Sequence, residues 1–407
     1  MVVAVITTVV RTTGNWSSCA IRRVSALSGA SRSIQPTERI TNNKSVAPTL
    51  PIATGIRRAR PNGFGSPYNR NVPYPVTLIP GDGIGPEVAD ATRRAVDATG
   101  VEIDWHRVEL TSDIIQNFGQ VLPAYVVESL NKTHVGLKGP VTTPVAGGFS
   151  SVNVALRKKM DLYSNVRPVI TMPGVKTRYM DVKIDMVIFR ENTEDVYSGL
   201  EHEIVTDVMQ SLKIITRRAS IRIAESAFKY ASVHGRKKVT AVHKANIMKL
   251  SDGLFLRCCR EVAARNPEIE YKELIVDNAA MQLVMRPETF DILLLPNLYG
   301  DIVSDLAAGL VGGLGLAPGA NIGDDNAVFE AVHGSAPDIA GKGIANPTAL
   351  MLSAVMMLDH LGELDAADRL HAAIEHVYAE GKHLTGDVGG SSPTTEFTDA
   401  ICRQLKG

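Results

Sequence analysis

The sequence has little cysteine, few aromatic side chains, no net charge and no long apolar run. Four cysteines occur in 407 residues: Cys19, Cys258, Cys259 and Cys402. Their spacing forms neither a zinc-type pair nor a disulfide framework, which fits a reducing compartment. The adjacent Cys258 and Cys259 read as small buried apolar side chains. No stretch approaches the ~18 apolar residues that a membrane-spanning helix needs, which argues against an integral membrane protein. Charge is balanced only in total, with 43 Lys and Arg against 43 Asp and Glu. Residues 1–75 hold ten basic residues and a single acid, Glu38, which leaves 33 basic and 42 acidic residues in 76–407. A mildly acidic body argues against a nucleic-acid-binding surface. The whole chain is 44% hydrophobic and 21% charged, the profile of a soluble globular protein long enough for two or three domains.

The first 75 residues are rich in Ser, Thr, Arg, Asn and Pro. This is the composition of an organelle transit peptide followed by a disordered linker. A secretory signal fits less well, because Arg11 follows the apolar opening MVVAVITTVV instead of preceding it. The expectation is import into the mitochondrial matrix, with a plastid as the alternative.

From residue 76, short β-branched runs alternate with amphipathic stretches. VTLI (76–79), KIDMVIF (183–189), KVTAV (238–242), LIV (274–276) and DILLL (291–295) predict strands. Helical patterns follow the first strand through 99 and recur at 217–233, 246–265, 300–311, 347–361 and 365–380. Such alternation predicts an α/β fold with a largely parallel sheet. The turn IPGDGIGPEV (79–88) is not a Rossmann fingerprint: of Gly81, Gly83 and Gly85, the third comes one residue early for G-x-G-x-x-G.

Five clusters can carry chemistry. In SSVNVALRKKMDLYSNVRP (150–168), Ser151 stands where a helix should begin, and Asn153 and Arg157 lie four apart on one face. Arg167 follows, and Arg190 comes just beyond the strand 183–189. Paired guanidinium N–H groups grip carboxylates, so three arginines suit a polycarboxylate, although any one alone would read as a surface ion pair. RENTEDVYSG (190–199) offers Tyr197 as a proton donor or a packed aromatic. VHKANIM (242–248) sets Lys244 at a strand end, and Asp277 is expected to end the strand LIVD. In NLYGDIVSD (297–305), Asp301 and Asp305 share a helix face, where they repel unless a divalent cation reverses the sign. All-oxygen ligation selects Mg²⁺ or Mn²⁺, and the apolar neighbours Ile302, Val303 and Leu306 suggest a half-buried pair. VFEAVHGSAPDIAGKGIANP (328–347) is a Gly-, Ala- and Pro-rich loop with His333, Asp338 and Asn346 as polar points, able to wrap a nucleotide.

Taken in this order, GDGIGPE, NLYGDIVSD and HGSAPDIAGKGIANP resemble the β-decarboxylating dehydrogenases, a family acting on isocitrate, isopropylmalate, homoisocitrate and tartrate. The resemblance spans 76–407. It implies an isocitrate/isopropylmalate dehydrogenase-type two-domain fold, not a Rossmann fold. The large domain would comprise 76–162 with 312–407, and the small domain, carrying the dimer interface, 163–311. It also implies at least a homodimer, each cleft being completed by the neighbouring subunit. Thr143, Ser151, Asn153, Arg157, Arg167 and Arg190 would bind substrate. Tyr197 would act with Lys244, the lysine reaching in from the partner. Asp301 and Asp305, with the partner's Asp277, would hold Mg²⁺ or Mn²⁺. Lys138, Thr142, His333, Gly334, Asp338, Ile339 and Asn346 would hold the dinucleotide, and the Asp338–Ile339 pair follows the NAD pattern.

Ser151 and Asn153 resemble the isocitrate branch, where isopropylmalate enzymes carry an apolar patch. The implied reaction is oxidative decarboxylation of isocitrate to 2-oxoglutarate and CO₂. Homoisocitrate and 3-isopropylmalate are the alternatives within the family. A regulatory, catalytically silent isocitrate dehydrogenase subunit is the alternative of another class. ENTEDVY departs from the ENTEGEY of the usual mitochondrial NAD-linked subunits, and the metal and NAD motifs are complete. Both points favour a self-sufficient catalytic chain.

Overall fold

The computed structural model describes residues 72–142 and 151–406. The basic segment read as a transit peptide lies almost wholly outside the described residues, and so does Thr143. Along the chain run β1 (Tyr74–Ile79), α1 (Gly85–Asp97), β2 (Ile103–Arg107), α2 (Ser112–Phe118), α3 (Ala124–Thr133), β3 (Val135–Lys138), α4 (Val152–Lys159), β4 (Ser164–Ile170) and β5 (Asp185–Glu191). Then come β6 (Glu201–Val205), β7 (Val208–Ser211), α5 (Arg217–His234), β8 (Lys238–His243), α6 (Ser251–Ala264), β9 (Glu270–Ile275) and α7 (Val276–Met285). The chain closes with β10 (Ile292–Leu295), α8 (Asn297–Val311), β11 (Pro318–Ile322), β12 (Ala327–Ala331), α9 (Thr348–Leu361), α10 (Leu364–Glu380) and α11 (Thr394–Lys406).

Ten strands form one sheet in the order β2-β1-β3-β12-β11-β4-β5-β10-β8-β9. Six neighbouring pairs are parallel and three antiparallel. The largely parallel sheet expected from sequence is therefore present, but its polarity reverses in the middle. All three antiparallel pairs involve β11 or β4. The strands on one side of the β11–β4 pairing come from residues before 139 and after 317, and those on the other side from 164–295.

Local chemistry explains most of the elements. Pro86 sits in the first turn of α1, where its missing N–H has no helical partner to lose, and Val88, Ala89, Ala95 and Val96 bury one face. The interior strand β10 is apolar throughout and buried on both faces. α9 is apolar nearly all round, and accordingly it lies inside, packed against β11, β12, α1 and α10. Cys258 and Cys259 are free thiols buried on α6, as expected.

Two boundaries differ from the sequence reading. The run LIVD does not end as a strand: β9 stops at Ile275, and Asp277 lies in the first turn of α7. α6 begins at Ser251 instead of 246, because turns occupy the residues after Lys244.

The glycines of GDGIGPE serve close packing between loops. Gly81 and Gly83 have φ of +81° and +59°, and a Cβ on either would stand 2.0 Å from the carbonyl oxygen of Pro140 or Ser335. Asp82 accepts from the backbone N–H groups of Ser112 and Thr142, and Glu87 accepts from those of Gly343 and Ala345. One short motif thus fastens the β3–α4 loop and the loop after β12 to the start of α1.

Candidate active site

The polarity reversal of the sheet concentrates polar side chains on neighbouring strands. Lys138 ends β3 opposite Glu330 of β12, Gly319 of β11 lies opposite Glu330 on its other side, and Asn165 of β4 faces Arg190 at the end of β5. With Asn153 and Arg157 of α4, Arg167 of β4, and His333 and Gly334 beyond β12, Lys138 lines a cleft of about 130 Å³. Asn153 and Arg157 do share a helix face towards it. Ser151 is the N-cap residue of α4, yet its hydroxyl makes no capping bond.

Four cations are buried here: Lys138, Arg157, Arg167 and Arg190. Glu330 answers two of them, accepting from Lys138 Nζ at 2.7 Å and Arg157 Nη2 at 3.0 Å, with Asn321 Nδ2 at 2.8 Å. Burial would raise the Glu330 pKa, but Lys138 and Arg157 hold it well below the ordinary carboxylate range. Burial and the charge of Arg157 push Arg167 below the usual guanidinium value, and burial, Arg157 and Arg167 do the same to Arg190. These three guanidiniums therefore repel one another in a desolvated space, a strain that an anionic ligand relieves. Arg157 Nε, Arg167 Nε, Asn153 Oδ1 and His333 Nε2 are buried there without protein partners. Burial lowers the His333 pKa, so its ring is neutral, with Nδ1 directed at the carbonyl oxygen of Gly334.

α8 supplies the acids. Asn297 Oδ1 accepts from Arg190 Nε at 3.0 Å and Nη2 at 2.7 Å, which leaves Arg190 Nη1 for Asp301. Gly300 permits this approach, since a Cβ there would lie 2.5 Å from Arg190 Cγ. Tyr197, in a 3₁₀ turn after β5, donates its phenol proton to Asp301 Oδ2 at 2.5 Å. Burial and that bond raise the tyrosine pKa. Burial works to raise Asp301 as well, but Arg190, the Tyr197 hydrogen bond and Arg167 keep it below the ordinary carboxylate value. Asp305 lies 3.5 Å from Arg167 Nη1, and burial raises its pKa. The expected half-burial holds for Asp301, at 37% side-chain exposure; Asp305 is at 55%, and Ile302 points outward.

Lys244 and Asp277 stand apart. Lys244 Nζ bonds Asp277 Oδ1 at 2.5 Å, and neither is hydrogen bonded to the arginine–Asp301 cluster. Among the described residues of one chain, no three His, Cys, Asp or Glu side chains gather into a metal site. Asp301 and Asp305 do form an oxygen-only pair on one helix face, a donor set of the kind that suits a hard divalent cation.

Among the residues expected to hold the dinucleotide, Thr142 is tied down through its N–H to Asp82 and its hydroxyl to Ser335. Asp338 is exposed on the loop after β12, and Ile339 packs against the core. Asn346 is buried, with Nδ2 bonded to Tyr378 and Asp387 and Oδ1 to the N–H of Thr348.

The family description "Isocitrate/isopropylmalate dehydrogenase" matches residues 75–401. The chain belongs to that family. It is 57% identical over 334 residues to the Arabidopsis thaliana isocitrate dehydrogenase [NAD] catalytic subunit 5, mitochondrial, covering 82% of this chain and 89% of the relative. It is 54% identical over 331 residues to a mitochondrial isocitrate dehydrogenase [NAD] chain of Dictyostelium discoideum named as regulatory, covering 81% of this chain and 91% of that one. Among solved structures, isocitrate dehydrogenase from Methylococcus capsulatus superposes with a TM-score of 0.79 at 48% identity, over 82% of this chain and all of that one. The fold is thus the family's own and not a Rossmann fold.

Three residues that support the cleft carry little signal in the sequence. Glu330 is an acid inside the otherwise apolar strand AVFEA, and that break in pattern was the available signal. Asn297 and Gly300 sit inside the NLYGD motif, but their service to Arg190 depends on β5 and α8 meeting in space.

Proposed function

We propose that this chain oxidatively decarboxylates isocitrate to 2-oxoglutarate and CO₂, with NAD as hydride acceptor and Mg²⁺ or Mn²⁺ as the metal. The supporting observation is the cleft lined by Arg157 and Arg167, each with an unpartnered buried Nε, and the repulsion between them and the neighbouring buried Arg190. A substrate with three carboxylates answers that charge. Arg157, Arg167 and Arg190 bind carboxylates, and Asn153 with the Ser151 hydroxyl meets the third. Thr143 belongs to the same substrate set.

Asp301 and Asp305, with the partner's Asp277, are the residues to hold the cation. When bound, the cation would supply Lewis-acid polarisation of the substrate hydroxyl oxygen, and the dinucleotide a hydride acceptor. Tyr197 is the proton donor: its raised pKa keeps the phenol protonated at neutral pH, ready for the carbon left by CO₂. The partner's Lys244 restores that proton. Lys138 and Thr142 face the nicotinamide end, His333 and Gly334 belong to the adenosine half, and Asp338 accepts from the adenosine ribose and repels a 2′-phosphate. Ile339 packs beneath the adenosine half. The Asn346 side chain is fully committed within the protein, so its contact with nucleotide runs through the main chain.

A second copy of the chain is the proposed partner. Met281, Val284 and Met285 make an exposed apolar stripe on α7, beside the exposed Ile302 of α8. β6 and β7 form a separate two-stranded sheet with Ile204, Val205, Val208 and Met209 exposed. A lone two-stranded hairpin is marginal in water, so pairing with another chain would stabilise it. The two lobes, 76–162 with 312–407 and 163–311, would open and close around the cleft. Import into the mitochondrial matrix fits the basic leader.

The regulatory reading is favoured by one observation, the 54% identity to a chain named regulatory. The test is the chain expressed alone, with reduced cofactor followed by absorbance. Isocitrate, homoisocitrate and isopropylmalate are each crossed with NAD and NADP in the presence of Mg²⁺. Turnover confined to isocitrate and NAD is expected. A folded dimer silent in every combination would make the regulatory reading the better one.

A further inference from the structure

Behind the site lies a second polar cluster that the mechanism above does not use. Lys213, in the short segment between β7 and α5, is 13% exposed in its side chain. Its ammonium bonds Asp252 Oδ1 at 2.7 Å, stands 3.9 Å from Asp195 Oδ1, and sits 4.3 Å from the centroid of the Tyr299 ring. Asp195 and Asp252 are fully buried.

Each carboxylate also holds backbone. Asp195 Oδ1 accepts from the N–H of Val196 at 2.9 Å, and Oδ2 from that of Leu298 at 3.0 Å. Val196 precedes Tyr197, and Leu298 lies in the first turn of α8, the helix carrying Asp301 and Asp305. Asp252 Oδ2 accepts from the N–H of Lys244 at 2.7 Å. Asp195 takes φ +70° and ψ −149°, backbone that favours glycine. A strained non-glycine residue persists where the surrounding structure over-determines it. Here the carboxylate that a glycine would lack makes the bonds that do so.

The chain of contacts runs from Tyr197 and α8 through Asp195, Lys213 and Asp252 to the Lys244 main chain. We infer that Lys213 is a positioning residue that locks the Lys244 loop to the Tyr197–Asp301 site. In a dimer, it then couples the tyrosine a chain uses to the lysine it lends to its partner. This rests on the proposed function, in which Lys244 serves the neighbouring cleft. Removing the ammonium leaves two buried carboxylates facing each other, so the two loops separate, while the substrate arginines and the nucleotide loop keep their own partners.

The test uses the full chain. Lys213→Met should lower kcat with isocitrate at least tenfold per folded dimer, with KM for isocitrate and NAD changed by less than twofold. Asp252→Asn keeps the shape and weakens the ion pair; it should show the same split and serves if Lys213→Met does not fold. Unchanged kcat in the folded variants, or a loss carried by KM, would overturn the inference.

A hybrid dimer of a Tyr197→Phe chain with a Lys244→Ala chain retains one complete site. Lys213→Met placed in either chain should depress that site's turnover, and an effect from one placement only, or from neither, would refute the coupling. Failure of the underlying reading shows itself separately: wild-type chain does not turn over isocitrate, or the hybrid recovers no activity. Either result removes the coupling with it.

Discussion

Glu330→Gln tests the electrostatics of the cleft most directly. Glu330 is the counter-ion of Lys138 and Arg157, at 2.7 and 3.0 Å, and Lys138 is 1% exposed. The glutamine keeps the shape but leaves buried cations without their charge partner. Breaking a buried pair from one side costs about 3–5 kcal/mol. An entropy of unfolding near 2.1 cal/mol/K per residue, over a body of roughly 330 residues, converts that cost into a fall in Tm of about 4–7 °C. The assay is thermal unfolding followed by circular dichroism, with ligand absent. Lys138→Met combined with Glu330→Gln should recover part of the loss, because one unpaired charge is then gone.

The pH dependence has a defined sign. The folded Glu330 pKa lies below its unfolded value, so its stabilisation is fully present above the unfolded carboxylate pKa of about 4.3. It fades as pH falls towards the folded pKa. The gap in Tm between wild type and variant should therefore be constant from neutral pH down to mildly acidic conditions, and shrink below that. Equal Tm at pH 7, or a gap that widens in acid, would refute the assignment of Glu330 as the ionised partner of Lys138 and Arg157.

Three further perturbations address the proposed roles. Asp305→Asn should weaken Mn²⁺ binding at least tenfold by calorimetry with the far-ultraviolet spectrum unchanged; an unaltered isotherm would remove Asp305 from the metal set. Asp338→Lys should lower kcat/KM for NAD and raise it for NADP, so an unchanged ratio would separate that loop from the ribose. Gly300→Ala should cut kcat/KM for isocitrate by about 10²-fold, the scale expected when a binding group is displaced by roughly 1 Å. Its new Cβ would meet Arg190 Cβ and Cγ at 2.6 and 2.5 Å, and full activity would show that α8 can retreat without moving Arg190.

Much of the fold was legible where periodicity and burial agree. β5, β8 and β10 have buried, mainly apolar runs in the interior of the sheet, and α5, α9 and α10 carry unbroken helical patterns. Legibility failed where neighbours decide the conformation. LIVDNAAMQLVM is apolar enough to continue as a strand, and the turn into α7 at Val276 carries no Gly or Pro to announce it. β6 has no alternation to detect, because every residue in it is exposed. The antiparallel entry of β4 and β11 follows from long-range connections, and no local pattern reports strand direction.

The site divides in the same way. Asn153, Arg157, Arg167, Arg190, Tyr197, Asp301 and Asp305 could be named because each chemical type stands in a recognisable motif. Their partners could not be named, because a partner is a relation between distant segments. Asp195 is the sharpest case. In sequence it is only a departure from a glycine in a familiar run, a sign of which branch the chain belongs to. In space the departure supplies a carboxylate, at φ +70°, that holds the turn bearing Tyr197 to the first turn of the helix bearing Asp301. Lys213 and Asp252 carried no motif signal at all, because their job is to hold each other. The residues that meet ligand are therefore readable one by one, whereas those that hold them in place become visible only when the sheet brings β5, α8 and the Lys244 loop together.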